Sequence, residues 1–339
     1  MQEFKFAIWG CGMISKIHAD AIEQIDGATL CGAFDLNEEA KNNFCEKYNA
    51  KAYASAEEMI ESDEIDAVCV CLPSGLHYDA AMACIKNKKH VIVEKPMALK
   101  IDQAEDIIKA SEEQGVFVMV ISQLRYTDAM KQVKRIIDSG KLGTITLGNA
   151  VMQYWRSPEY YQSSNWRGTW AMDGGGALMN QGIHGVDLLQ YLMGKVVSVS
   201  AYAKTLVHDI ETEDTLVAVL EYENGAVGTI QATTSVNPGY ERRIEICGSK
   251  GSIVLREDTI EKCDIEGEDI LGDTNEKKDS SANRPDAIGS SLHAVQLKDF
   301  IDAVSENRKP WIDANEGKKA LDIICSIYES AKTGKKIYL

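Results

Sequence analysis

The stretch that decides the fold is Lys-Phe-Ala-Ile-Trp-Gly-Cys-Gly-Met-Ile-Ser at residues 5–15. Its first half is an apolar strand, and its second half is a glycine turn, Gly10-x-Gly12-x-x-Ser15, that leads into a helical pattern. Glycines let such a turn close tightly and let backbone N–H groups approach a pyrophosphate at the amino end of a helix. Serine replaces the usual third glycine but is small enough for close packing. The stretch therefore predicts a dinucleotide-binding unit.

An acidic residue follows at the position that such a unit needs. Asp35 ends the next predicted strand, at residues 28–35. A carboxylate there accepts hydrogen bonds from ribose hydroxyls and repels a 2′-phosphate. Neither Leu36 nor Asn37 brings a positive charge, so we expect NAD rather than NADP. The alternative is that Asp35 only caps the following helix.

Strand and helix patterns alternate through the first third of the chain. Apolar strands are predicted at residues 5–9, 28–35, 67–72, 90–94 and 116–122. Helices are predicted between them at residues 14–24, 38–48, 78–86 and 101–113. This α/β order favours a doubly wound parallel sheet, a Rossmann domain, over residues 1–122, with ligands at the carboxyl ends of the strands.

The pattern changes in the remainder, residues 123–339, which is predicted to be an α+β domain for substrate binding and oligomerisation. A helix at residues 128–139 precedes longer alternating strands, which indicate a half-exposed, mainly antiparallel sheet. These strands are predicted at residues 145–154, 196–205, 215–222, 226–235 and 243–247. Residues 266–283 are polar and are predicted to be a mobile insertion. Two helices, at residues 292–305 and 315–332, complete the prediction.

Composition narrows the classes of protein. The chain has 339 residues and a net charge of −16, which argues against nucleic acid as a partner because phosphate binding needs clustered Lys and Arg. The nine cysteines do not have the spacing of a zinc site, and no metal site is expected. Cys69 and Cys71 lie in an apolar strand and are predicted to be reduced thiols in the core. No apolar run approaches the roughly 18 residues of a membrane span, and no signal peptide is visible. We expect a cytoplasmic protein.

Two motifs carry candidate chemistry. Lys95, in Glu94-Lys95-Pro96, follows a buried strand, and His184 ends a run that begins at Gly174. Oxidation of a secondary alcohol needs a base for the hydroxyl proton and positive charge for the developing alkoxide. Histidine suits proton transfer near neutral pH, and lysine supplies charge. We predict His184 as the base and Lys95 as its electrostatic partner; the two roles could be exchanged.

Together these motifs give the chain a family resemblance. The glycine turn, Pro73-Ser74-x-x-His77, Glu94-Lys95-Pro96 and the glycine run ending in His184 resemble the Gfo/Idh/MocA oxidoreductases, which include glucose–fructose oxidoreductase and inositol dehydrogenase. The resemblance extends over essentially the whole chain. It implies a Rossmann domain joined to an open-faced mixed sheet that supports a homodimer or homotetramer. It also implies hydride transfer between NAD or NADP and a sugar, glycoside or cyclic polyol.

The resemblance also assigns cofactor residues. It implies pyrophosphate contacts from the glycine turn and ribose contacts from two carboxylates, one at each end of the dinucleotide. The positions that match are Gly10, Gly12, Met13 and Ile14 for the pyrophosphate, Asp35 for the adenosine ribose, Leu72, Pro73 and His77 for the nicotinamide side, and Glu94, with Lys95 beside it, for the nicotinamide ribose.

For the substrate, the resemblance implies contacts from Lys95 and His184 to hydroxyl groups, and places Trp166 and Arg167 near the rim of the active site. Many members carry aspartate four residues before the histidine, where this chain has Asn180. Residues four apart share one face of an α-helix, so Asn180 is also predicted to meet the substrate. Because Asn cannot accept a proton, the carboxylate-assisted mechanism is in doubt. The Asn form resembles subgroups that act on pyranosides and nucleotide sugars.

Alternatives remain open at this stage. A related, redox-neutral enzyme would oxidise a glycoside transiently, eliminate, add water and reduce again with bound NAD. A sensor of NAD(H) or sugar would bind without turnover. Among the other histidines, His18 is predicted to pack or to make a polar contact. His77 is predicted with equal weight to have a structural role or a nicotinamide-side role, and His293 is predicted to have no role.

Overall fold

The computed structural model describes residues 3–266, 268–269 and 289–339. Contacts divide the chain into two compact units, Met1–Gln123 with Ile288–Lys318, and Leu124–Ala287 with Lys319–Leu339. The predicted division at residues 122 and 123 placed the segment near residue 300 in the second domain, whereas its contacts place it in the first unit. The predicted insertion at residues 266–283 lies almost entirely outside the described residues.

The elements of the described residues have the following bounds. The helices are α1 Met13–Ile22, α2 Glu38–Lys47, α3 Ala56–Glu61, α4 His77–Lys86, α5 Ile101–Gln114, α6 Asp128–Asp138, α7 Pro158–Gln162, α8 Ile183–Met193, α9 Ser291–Ser305 and α10 Ala314–Thr333. The strands are β1 Phe4–Trp9, β2 Ala28–Phe34, β3 Lys51–Ala52, β4 Ala67–Val70, β5 His90–Val93, β6 Val118–Val120, β7 Ile145–Gln153, β8 Val196–Lys204, β9 Thr215–Tyr222, β10 Val227–Thr233, β11 Arg243–Gly248, β12 Gly251–Arg256, β13 Thr259–Ile265, β14 Glu268–Asp269 and β15 Ile337–Tyr338.

The first unit contains the predicted doubly wound sheet. Its described strands are parallel and lie in the order β3-β2-β1-β4-β5-β6. The winding reverses between β1 and β4, and ligands of such sheets bind at the carboxyl ends beside this point. Helix α9 belongs here because Leu297 and Phe300 are buried in the core around Phe6. β3 and α3 were not predicted from the sequence, because they are only two and six residues long.

The second unit contains a mixed sheet in the order β14-β13-β12-β11-β7-β10-β9-β8-β15 among the described residues. β7 and β10 run parallel, and the other described pairs are antiparallel. In β9 the buried Leu216 and Ala218 alternate with the exposed Val217 and Val219, as a sheet with one covered face requires. The predicted open-faced mixed sheet is therefore confirmed. β12 and β13, which extend the sheet beyond β11, were not predicted from the sequence.

Candidate active site

The glycine turn has the geometry of an anion cradle. Gly10 has φ +99°, and a Cβ there would lie 2.6 Å from the carbonyl oxygen of Cys71, so only glycine fits. A Cβ on Gly12 would meet no atom within 4 Å. Helix α1 then begins at Met13 with no side-chain cap and no acidic residue in its first turn. Its first N–H groups suit a pyrophosphate, and the buried Ser15 takes the third glycine position by donating to the Gly12 carbonyl at 2.6 Å.

Asp35 links the glycine turn to the end of β2. Its carboxylate accepts hydrogen bonds from the backbone N–H groups of Cys11 and Asn37, both at 2.7 Å. The cap of α2 is the side chain of Asn37, which accepts from the N–H of Ala40 at 3.0 Å. Asp35 is therefore not the cap of this helix. Its partly exposed carboxylate lies beside the turn, where the ribose contact stays a prediction.

His77 connects the ends of two neighbouring strands. Its buried ring nitrogens lie 2.7 Å from the carbonyl oxygen of Pro96 and 2.8 Å from that of Leu72. Burial lowers the pKa of His77, although the two carbonyl groups oppose that change. The side chain thus holds the segment that contains Leu72 and Pro73 against the segment that contains Lys95, and its contact with nicotinamide stays a prediction.

Glu94 is buried at the carboxyl end of β5 and has two histidine neighbours that the sequence did not reveal. His18 Nε2 lies 2.9 Å from Glu94 Oε1, and His293 Nε2 lies 3.9 Å from the same oxygen. The other carboxylate oxygen accepts the backbone N–H of Lys95 at 3.2 Å. His18 was predicted to pack or to make a polar contact, and its bond with Glu94 is such a contact. His293 was predicted to have no role; that prediction was incomplete, because α9 packs beside α1 and brings the two rings together.

In the second unit, the segment that carries Asn180 and His184 is not one α-helix. Ala177–Gly182 is π-helical and continues into α8 at Ile183, so the predicted α-helical face through both residues is corrected. From residue 175 to residue 190 every residue is buried except Asn180, Gln181 and His184. A buried segment that leaves three polar side chains accessible is typical of a functional surface, and π-helical turns frequently occur there.

A buried carboxylate fixes the beginning of this segment. Glu213 accepts the N–H groups of Gly176 at 3.0 Å and Leu178 at 2.8 Å, and also the hydroxyl of Tyr328 at 2.8 Å. The glycine run is required by this contact, since a Cβ on Gly175 would lie 2.2 Å from the Tyr328 hydroxyl. Burial raises the pKa of Glu213. The glycines are visible in the sequence, but their approach to Glu213 and Tyr328 is not.

Asn180 lies in a chain of hydrogen bonds. Its amide donates to Asp173 and accepts from Gln181, whose own amide also donates to the hydroxyl of Tyr160 at 2.8 Å. Arg156 donates to Gln181 Oε1 through two nitrogens, at 3.2 and 2.6 Å. The amide of Asn180 is therefore hydrogen-bonded to the buried Asp173.

Arg167 lies beside this network. Its guanidinium carbon is 4.4 Å from the ring centroid of Tyr160 and 5.2 Å from that of Trp166. It donates to the Tyr160 carbonyl and to Ser163 Oγ, and its buried Nε has no hydrogen-bond partner. Within the part of the chain that the structure describes, Arg167 forms no salt bridge. The predicted rim residues Trp166 and Arg167 are thus in contact with each other and, through Tyr160, connected to Asn180.

Comparison with known proteins agrees with the fold and the motifs. The model of the oxidoreductase family with an NAD-binding Rossmann fold matches residues 4–122, and the model of the GFO/IDH/MocA C-terminal domain matches residues 130–254. The chain therefore belongs to the GFO/IDH/MocA family of oxidoreductases, as the resemblance predicted.

Three relatives show the range of the family. The WlbA dehydrogenase of Bordetella pertussis, solved with NADH and UDP-GlcNAcA, is 34% identical with a TM-score of 0.90, and the match covers 100% of this chain and 99% of that one. Myo-inositol 2-dehydrogenase of Thermotoga maritima is 29% identical over 94% of this chain and 93% of its own length. D-glucoside 3-dehydrogenase of Escherichia coli is 24% identical over 99% of this chain and 97% of its own length.

The class of reaction follows from the family and the fold. The protein is an oxidoreductase with an NAD-binding Rossmann domain, and the three relatives named above are all dehydrogenases. The residues at the glycine turn fit NAD, since the uncapped start of α1 and the open space beside Gly12 can take its pyrophosphate. Within the described residues, no helix has both the length and the apolar character to cross a membrane.

Proposed function

We propose that the substrate is a nucleotide-linked sugar that carries a carboxylate, of the UDP-GlcNAcA class, and that the enzyme oxidises one of its ring hydroxyls. The observation that carries this proposal is Arg167, a cation without a salt bridge in the described residues, connected by hydrogen bonds to Asn180. Salt bridges with carboxylates of the chain are formed by Arg125, Arg242, Arg243, Arg256 and Arg308. Arg167 forms none within the described residues, and its position beside Asn180 makes it available for an anion.

The chemistry of guanidinium supports a carboxylate as this anion. Arginine presents planar N–H groups that match a carboxylate with two parallel hydrogen bonds. The rings of Tyr160 and Trp166 restrict the guanidinium of Arg167, which lowers the entropy lost on binding. The likeness to the Bordetella pertussis enzyme, which was solved with UDP-GlcNAcA, supports the same class.

We further propose roles for the groups that meet the reacting hydroxyl. His184 accepts its proton, and Lys95 stabilises the developing alkoxide. Asn180 cannot take a proton; with its amide held by Asp173 and Gln181, it orients the sugar. When bound, NAD supplies the hydride acceptor. Support for His184 comes from its accessibility on an otherwise buried segment.

The test compares two substrates in the unmodified enzyme and in variants at position 167. Arg167→Met is expected to raise KM for UDP-GlcNAcA about 10-fold to 100-fold, the range for loss of a charged hydrogen bond. KM for UDP-GlcNAc, which lacks the carboxylate, is expected to change little. Initial rates of NADH formation measure both, and Arg167→Lys serves as the variant that keeps the charge.

Two results would count against this assignment. Equal losses with both sugars would mean that Arg167 holds the diphosphate or only supports the fold. Turnover of inositol or glucose with a better kcat/KM than UDP-GlcNAcA in the unmodified enzyme would contradict the proposed substrate class.

We also propose that the protein is a cytoplasmic homodimer or homotetramer. Exposed apolar side chains on the open sheet, among them Tyr202, Val217 and Val219, support association, because such a face is costly to leave in water. The nine cysteines, which form no disulfides in the described residues, support a reducing compartment. Light scattering is expected to give a multiple of the 37.3 kDa chain mass, and Val219→Lys is expected to lower it; a monomer at micromolar concentration would contradict the proposal.

A further inference from the structure

Three buried titratable side chains from separate parts of the first unit meet at one carboxylate oxygen. His18 on α1, Glu94 after β5 and His293 on α9 offer donor atoms that all lie within 4.8 Å of one another. His18 Nε2 is 2.9 Å and His293 Nε2 is 3.9 Å from Glu94 Oε1. The two rings lie edge to face, with centroids 5.4 Å apart. Such a group needs an explanation, because buried charge is expensive unless it is compensated.

The charges within this triad are assigned from its contacts. Burial alone would lower the pKa of His18, but its contacts with Cys69, Cys71 and Glu94 raise that pKa well above its usual value. With Nε2 at 2.9 Å from Glu94 Oε1, we assign His18 as an imidazolium paired with a Glu94 carboxylate. Burial alone would raise the pKa of Glu94, but its bond with His18 and the nearby positive charges bring that pKa down to about 2. Burial and the charge of His18 lower the pKa of His293 to about 4. The triad is therefore neutral overall, with His293 uncharged.

Other titratable groups face the triad but do not change its net charge. Cys69 in β4 and Cys71, just after that strand, approach His18. Burial raises the pKa of the Cys71 thiol to about 11, so Cys71 is uncharged. Lys95 is the remaining cation that acts on Glu94.

A metal ion is the alternative occupant of a group with two histidines and a glutamate. Two ligands of a tetrahedral zinc ion are about 3.3 Å apart, given bonds of about 2.0–2.1 Å. The His18 and Glu94 atoms are closer than that, and a histidine that is protonated at Nε2 cannot coordinate through that atom. His293 Nε2, at 3.9 Å from Glu94 Oε1, does not complete a site. The geometry favours a shared proton over a metal.

The location gives this charge balance a consequence for the cofactor. β5 lies next to β4, on the far side of the switch point from the adenosine-side strand β2, so Glu94 falls in the nicotinamide half of the crevice. This step rests on the proposed position of the cofactor. The nicotinamide ring is positively charged in NAD⁺ and neutral in NADH, and a nearby buried charge therefore discriminates between the two forms.

We propose that His18 is a positioning residue that cancels the charge of Glu94, and that this cancellation sets the relative affinity of the enzyme for NAD⁺ and NADH. When the charge of His18 is removed, the net charge around Glu94 becomes one unit more negative, which favours NAD⁺ over NADH. His293 is a second source of positive charge, because it can take up a proton when the charge of His18 is removed.

The test measures binding of the cofactor alone. Kd values for NADH and NAD⁺ are measured by fluorescence titration and competition with the full-length protein at about pH 9, where a buried glutamate stays ionised. His18→Gln with His293→Gln is expected to raise the ratio Kd(NADH)/Kd(NAD⁺) about tenfold. That change corresponds to a fall of about 30 mV in the reduction potential of the bound couple.

Matched variants separate charge from packing. His293→Gln alone is expected to leave the ratio within about twofold, because His293 is neutral. Glu94→Gln is expected to weaken both forms of the cofactor together, since His18 then loses its partner and its proton. An unchanged ratio in the double variant would overturn the proposal.

A measurement on the unmodified protein decides the matter if the double variant does not fold. Nuclear magnetic resonance of ¹⁵N-labelled histidine is expected to show His18 as an imidazolium and His293 as a neutral ring at neutral pH. A neutral His18, or a stoichiometric transition metal found by elemental analysis, would overturn the proposal. None of these measurements uses the sugar, so they stand apart from a failure of the proposed substrate.

Discussion

Replacing His184 with asparagine is expected to lower kcat by about 10²-fold to 10⁴-fold, the usual contribution of a general base. Asparagine retains polarity and approximate size but cannot accept the hydroxyl proton. Because His184 is partly exposed on an otherwise buried segment, the substitution is expected to leave the fold intact. Stopped-flow or steady-state formation of NADH measures kcat, and fluorescence titration measures Kd for NADH, which is expected to stay within about twofold.

A second histidine provides the control for this experiment. His90 lies at the amino end of β5, away from the strand ends that face the cofactor, and its ring accepts the N–H of Phe117 at 3.0 Å. His90→Asn is expected to keep kcat near that of the unmodified enzyme. If His184→Asn weakened NADH binding as much as it lowered kcat, the assignment of His184 as the base would be wrong.

Replacing Gly176 with alanine is expected to destabilise the second unit by about 3 kcal/mol, the upper part of the usual range for overpacking, and to abolish turnover. The added Cβ would lie 1.9 Å from the carbonyl oxygen of Glu213 and 2.7 Å from Thr212 Oγ1. Because the first of these is backbone, the π-helical segment itself must shift, and its bonds to Glu213 are lost with it. Thermal unfolding and kcat report the two effects.

Gly289 is the matched control for this substitution. A Cβ on Gly289 would meet no atom within 4 Å, and this residue does not have a positive φ. Gly289→Ala is expected to leave the apparent Tm within a few degrees of the unmodified value. A Gly176→Ala protein with normal Tm and normal turnover would contradict the described contact between the glycine run and Glu213.

The sequence predicted those features that depend on local pattern. Apolar strands that alternate with helices defined the parallel sheet, and the turn at Gly10 and Gly12 defined the start of α1. Features that depend on convergence of distant segments were not predictable. Nothing in the spacing of His18 and His293 shows that α9 packs beside α1, and nothing near Gly176 shows that Glu213 is its partner.

The candidate site shows the same limit. The departure at Asn180 was visible in the sequence, but its bond to Asp173 was not, because a hydrogen bond between side chains depends on how the backbone folds around them. The π-helical turn before α8 also escaped notice, since its residues fit an α-helical pattern equally well.

The most direct test of the central claim follows the hydride itself. The enzyme is incubated with NAD⁺ and UDP-GlcNAcA that is deuterated at the ring carbons, and the mass of the cofactor is then measured. The account predicts NADH that carries one deuterium from the sugar. If the sugar changed but no net NADH formed, the result would contradict this account and favour the redox-neutral alternative. If neither molecule changed, the result would contradict the proposed substrate.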